Sequence, residues 1–276
     1  MTKKVLFAYI VLIGCILLLV GGYSQWKDKL SSFQRERPTQ TVVSAAPVTE
    51  VEQKETVEEE EAAVEPMDSV RLQKLTANQD ESVRALFQKR LDSSEKVDFL
   101  MIGSTSMDYG DSGYAERLQV ALGETYAEFI TFHKISFDGT SSEFMKEIEE
   151  ERITLDGDYD VVLMEPFTLR NNGKVIIEKE HAHIKTVRGQ LSGFVEDSVL
   201  ILQPPNPIYK MQYYETQVRA LNTFAGAQGI PYINHWLDWP AKDSADLPLL
   251  LGENSMPNSD GAELWANALI GYFIAE

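Results

Sequence analysis

From residue 95 to the end of the chain, short apolar runs alternate with stretches of helical spacing, and that rhythm narrows the fold to one class. Residues 98–102, 128–135, 159–164, 198–203 and 231–233 have the length and the β-branched or aromatic content of strands. Residues 112–126, 141–152, 182–194, 211–228 and 260–275 place apolar side chains three and four apart, as helices do. Strand and helix in strict alternation predict an α/β protein with a doubly wound, mostly parallel, five-stranded sheet and helices on both faces. Such sheets bind ligands beyond the carboxyl ends of their strands, so the chemistry is expected in the loops that follow them.

The first third of the chain is of another kind. Lys3 and Lys4 precede residues 5–22, which carry no charge and approach the roughly 20 residues that span a bilayer core. Residues 1–4 read as a cytoplasmic N-terminus and residues 5–22 as a single-pass transmembrane anchor, which puts the rest outside the cell membrane. Two alternatives stay open: a lipoprotein anchored at Cys15, through Leu12-Ile13-Gly14-Cys15, and a cleaved signal. Cys15 is the one cysteine, which excludes an intramolecular disulfide. Residues 23–67 read as a disordered stalk, since 50–65 hold eight glutamates against Lys54. About 40 such residues reach about 35 Å. Residues 68–94 read as a helical lead-in and 95–276 as the folded α/β domain. With 43 acidic against 25 basic residues and a net charge of −18, nucleic acid is excluded as a partner.

The loops are informative. The first strand runs into Gly103-Ser104-Thr105-Ser106, three hydroxyls on a tight turn that could hold a nucleophile or cap a helix. The second ends at Asp138-Gly139-Thr140, the third at Leu169-Arg170-Asn171-Asn172-Gly173, and the fourth at Pro204-Pro205-Asn206-Pro207-Ile208-Tyr209. No phosphate loop, metal-ligand cluster or dinucleotide glycine pattern is present, so neither cofactor nor metal is expected.

In order and spacing these blocks resemble the SGNH, or GDSL-type, hydrolases, and within them the membrane-anchored members of Gram-positive bacteria. Tyr232-Ile233-Asn234-His235-Trp236, Trp239-Pro240 and Pro257-Asn258 extend the resemblance, which covers about residues 95–276. It implies a flavodoxin-like sheet and an ester-cleaving or acyl-transferring site: a hydroxyl nucleophile, a histidine base and an acid three residues ahead of that histidine. It also implies an oxyanion hole made by the nucleophile's backbone, Gly139, and Asn171 or Asn172. Aligning glycine with glycine makes Thr105 the nucleophile, and a shift of one residue makes it Ser106. Asn206, Tyr209, Trp236 and Asn258 take the substrate-binding positions.

The last block departs from that pattern. Glu253-Asn254-Ser255-Met256-Pro257-Asn258 keeps the acid but carries Met256 where the base belongs, and a thioether takes no proton at physiological pH. His133 falls inside a strand, and His181 and His183 point apart on a helix. His235, after the fifth strand, is the substitute base to test, its alternative being a hydrogen-bonded structural histidine. Two functions follow. One is an extracytoplasmic esterase, deacetylase or O-acetyl transferase acting on a cell-surface polysaccharide. The other is a catalytically inactive domain that binds envelope glycan or a membrane O-acyltransferase.

Overall fold

A computed structural model describes residues 67–275. The expected anchor, Cys15 and the stalk as far as residue 66 lie outside the described residues. Asp68 caps the first helix by accepting the Arg71 N–H, and α1 (Ser69–Leu75) and α2 (Glu81–Asp92) then lead into the sheet. The order that follows is β1 (Val97–Ser104), α3 (Tyr114–Tyr126), β2 (Ile130–Phe137), α4 (Ser141–Glu149), β3 (Val161–Met164), a one-turn α5 (Thr168–Asn171), α6 (Ile177–Phe194), β4 (Val199–Leu202), α7 (Tyr213–Ala227) and α8 (Ser259–Phe273). Among the described residues, no helix is long and apolar enough to cross a membrane.

The sheet is parallel, in the order β2-β1-β3-β4. It has four strands rather than the expected five. The segment at 231–233 reaches the sheet only as a bridge between Leu202 and Tyr232, held by Leu202 N–H to the Pro231 carbonyl and Ile233 N–H to the Leu202 carbonyl, each 2.9 Å. Pro231 has no N–H to extend the ladder, and a 3₁₀ turn takes over at His235.

The period-two alternation of strand side chains divides the core. Val97, Phe99 and Met101 of β1, with Val161 and Leu163 of β3, face α2, α3 and α8. Leu100, Ile102, Val162 and Met164 point the other way, toward α4, α6 and α7. Both faces of β1 and β3 are therefore covered, as in a doubly wound sheet. Two helix boundaries differ from expectation. The fourth helix stops at Glu149, ahead of Glu151 in the left-handed region (φ 54°), and α6 starts at Ile177, its first turn carrying Glu178 and Glu180 where the helix dipole favours acid.

Candidate active site

The hydroxyl block lies where β1 ends. Ser104 closes the strand and Thr105–Asp108 form a 3₁₀ turn, so three successive hydroxyls sit at the carboxyl edge in three environments. Ser104 is buried; its backbone N–H donates to Glu165 Oε2 at 2.8 Å, while its own Oγ has no partner. Ser106 is 1% exposed, and its hydroxyl donates to Met256 Sδ at 3.2 Å. Thr105 is the open one of the three, and Arg170 Nη2 donates to its Oγ1 at 2.7 Å.

Arg170 was not among the residues the sequence singled out, yet it joins the blocks. It sits on α5, after the third strand, and also pairs with Asp138 of the second loop at 2.9 Å. Asp138 is 73% exposed on its side chain, whereas Arg170 Nε is buried without a partner. The turn that aims this guanidinium is strained: Phe167, a buried aromatic, takes the left-handed conformation (φ 63°). Packing against Phe144 and Phe137, with ring centroids 4.8 and 6.0 Å away, holds it there. Gly139 lies in the adjoining loop, where an added Cβ would come within 2.5 Å of the Phe137 ring, so only glycine leaves that backbone free to approach a ligand.

The two asparagines stand in different surroundings, and Asn171 is not free to act as the resemblance implies. Asn171 is wholly buried: Oδ1 accepts the Ser141 N–H at 2.8 Å, and Nδ2 donates to Glu180 Oε2 at 2.6 Å and to the Pro166 carbonyl at 3.4 Å. Its amide is spent as a strut between the second and third loops, with no donor left for an oxyanion. Asn172 is exposed on the following turn. Glu180 also accepts the Thr168 hydroxyl at 2.8 Å, and burial pushes its pKa up to about 7. Burial likewise raises Glu165, whose Oε1 is unpartnered.

His235 is placed as a structural histidine and not as a base. Its Nε2 lies 2.8 Å from the Pro204 carbonyl, which can only accept, and its Nδ1 lies 3.0 Å from Trp239 Nε1, which can only donate. Both nitrogens are therefore engaged in the neutral ring. The ring stacks on Trp265 at 4.3 Å and 13°, is 1% exposed, and burial pushes its pKa down to about 3. Nor does another histidine take over. His133 contacts Asp98, His181 stacks on Phe224, and His183 Nδ1 meets the Ser141 hydroxyl.

The remaining expected residues divide between support and surface. Glu253 is exposed on a short 3₁₀ turn, Glu253–Ser255, in which Asn254 and Ser255 have positive φ. Asn206 is buried; its Nδ2 donates to the Ser255 carbonyl at 2.9 Å and ties the proline loop to the Met256 turn. Asn258 caps α8 by accepting the Gly261 N–H. Tyr209 is exposed beneath Lys210, and Trp236 is partly buried, with its Nε1 donating to the Pro205 carbonyl at 2.6 Å. Proximity to strand ends made this loop legible; the sequence could not show which polar groups would be used up internally.

No family model matches the chain, and no curated protein sequence does. Its fold, however, is that of solved GDSL-type hydrolases. A catalytic mutant of the acetylxylan esterase Axe2 from Geobacillus stearothermophilus superposes with a TM-score of 0.54 at 14% identity, over 65% of this chain and 95% of that one. A member of the lipolytic G-D-S-L family from Veillonella parvula gives 0.50 at 14% identity, over 64% and 98%.

Proposed function

We propose that the domain processes O-acyl esters of a cell-surface carbohydrate, as an ester hydrolase or acyl transferase, with Thr105 as the reacting hydroxyl and Arg170 as the oxyanion donor. The observation that carries this reading is the 2.7 Å contact from Arg170 Nη2 to Thr105 Oγ1 at the carboxyl edge of β1. When Thr105 Oγ1 bonds to an acyl carbon, the carbonyl electron pair moves onto its oxygen, beside a fixed cationic donor. Charge developing next to a positioned donor is what lowers such a barrier. Collapse of the intermediate returns that pair and expels the sugar oxygen, which takes a proton from water; water, or an acceptor hydroxyl in transfer, then attacks the acyl-Thr105 ester, and Thr105 Oγ1 leaves and regains a proton from solvent.

The proton of Thr105 has no side-chain acceptor in this geometry, so it leaves to water or hydroxide. A positioned base contributes about 10²–10⁴-fold, and turnover is expected to be slow by that margin. The test is hydrolysis of a small aryl acetate by the purified full-length protein. Loss of turnover in Thr105→Ala and Arg170→Ala, with Ser106→Ala retaining most of it, supports the reading. Equal rates in all four proteins would sink it.

A second reading, glycan binding without turnover, is favoured by one observation: Ser106 donates to Met256 sulfur, where a base belongs. No turnover in any protein, with glycan binding retained, selects it. In either case we place the domain outside the cell membrane, on a single-pass anchor at residues 5–22 with a cytoplasmic N-terminus, or on lipid at Cys15. The uncharged run and the lysines ahead of it support this. A membrane O-acyltransferase is the partner that this arrangement suits. Protease treatment of intact cells tests the topology, since a domain that survives until lysis would be inside.

A further inference from the structure

At the carboxyl edge of the sheet, two strands along from the Thr105 loop, the proline loop after β4 and the 3₁₀ turn His235–Asp238 border a cavity of about 270 Å³. Pro207, Met211, Trp236 and Trp239 line it, and Glu215 of α7 and Lys242 form an ion pair there. Both indole N–H groups are committed elsewhere, to the Pro205 carbonyl and to His235 Nδ1. The rings therefore offer the cavity carbon surface and no donors. Its charged groups are the carboxylate and the ammonium, each about one-third exposed (33% and 37%), and Lys210 N–H to the Lys242 carbonyl (3.0 Å) pins the segment that carries Lys242.

This chemistry selects among ligands. A wholly apolar group would strand the Glu215–Lys242 pair in a poorly solvated site. An anion would meet Glu215, and an organic cation would meet Lys242. A neutral pyranose satisfies both halves: its C–H face lies on an indole and its hydroxyls bond to a carboxylate and an ammonium. The volume suits a single ring and falls short of a drug-sized ligand. A chain of contacts runs from the cavity toward the hydroxyl block: Pro207 follows Asn206, which holds the Ser255 carbonyl, and the next residue, Met256, accepts from Ser106. We propose that the cavity is a glycosyl subsite, seating one neutral sugar ring of the carbohydrate whose ester lies at Thr105. The inference rests on the carbohydrate reading above but not on turnover.

The test uses full-length protein labelled with 5-fluorotryptophan, whose four indoles (Trp26, Trp236, Trp239 and Trp265) give separate fluorine resonances. Methyl glycosides of glucose, galactose, mannose and N-acetylglucosamine are titrated, with cyclohexanol as the apolar probe. At least one glycoside is expected to shift the Trp236 and Trp239 signals and leave Trp265 unmoved. Glu215→Gln, which keeps the shape of the cavity, should weaken that binding about tenfold. The inference is overturned if no glycoside moves Trp236, if cyclohexanol moves it and the glycosides do not, or if Glu215→Gln and Lys242→Met leave the affinity unchanged. Aryl acetate turnover separates the two claims: glycoside binding without turnover defeats the ester reading alone, and turnover without glycoside binding defeats the subsite alone.

Discussion

At Ser106 a hydroxyl is buried against a sulfur, and a thioether is a weak acceptor that holds no proton. Replacing the sulfur with an imidazole would set a base 150 residues away in sequence but in direct contact with that hydroxyl. Met256→His is therefore expected to raise aryl acetate turnover by about 10²-fold or more through Ser106, with a pH inflection near the ordinary histidine pKa of about 6.5. Ser106→Ala in that background should erase the gain; a gain that survives would show that Ser106 is not the recruited nucleophile. In the wild-type protein the rate should climb with hydroxide, and His235, neutral from pH 5 to 8, should add no inflection of its own. His235→Ala is expected to act on folding instead. It strands the Trp239 N–H and the Pro204 carbonyl and leaves a gap beside Trp265, a loss of about 3 kcal/mol that thermal unfolding would register.

Between elements, the joint that matters is the one Asn171 makes, from Glu180 on α6 to Ser141 at the start of α4. Glu180 has a folded pKa of about 7, above the ordinary carboxylate value of about 4.5, so its protonated form is the one that folding favours. Its contribution is fully present below about pH 4.5 and is lost as pH rises through about 7, a swing of about 3 kcal/mol. Buried Glu165 is raised in the same direction. Denaturant unfolding from pH 5 to 8 should show the decline, and Glu180→Gln should flatten it; an unchanged slope would mean that Glu180 is not its source. Gly261 marks a second tight joint, where an added Cβ would lie 2.2 Å from the Leu250 carbonyl oxygen. Gly261→Ala must push α8 off that turn, and a drop of several degrees in melting temperature is expected. Elements of this kind were legible where apolar spacing was clean, as in β1, β3 and α3. The four-residue α5 was not, since Thr-Leu-Arg-Asn is too short to show a period, and with it went the position of Arg170.

For the molecule as a whole, the rhythm of strand and helix was enough to foresee an α/β sheet with a ligand edge, while the site was only half readable. Thr105, Ser106 and Met256 were singled out through the resemblance of their blocks, with the choice between the two hydroxyls left open. The fates of Asn171 and His235 depended in part on partners 30 residues away or more, Ser141 and Pro204, which no local pattern reveals. The acidic surplus acts at this scale too. With a net charge of −18, added salt should screen self-repulsion and raise the melting temperature, and a fall would mean that specific ion pairs outweigh it. The fifth strand, reduced to one bridge, bears on time rather than on shape. The chain from Asn234 to Asn258 contains three 3₁₀ turns, at His235–Asp238, Leu247–Leu250 and Glu253–Ser255, and no strand or α-helix. Its amides should exchange with solvent hydrogen well before those of β1 and β3. That wall is held by buried side chains, Trp239 and Leu247 in the core and His235 between Pro204 and Trp239, and not by a ladder of backbone bonds, so its loosening would be registered in the core that it packs against.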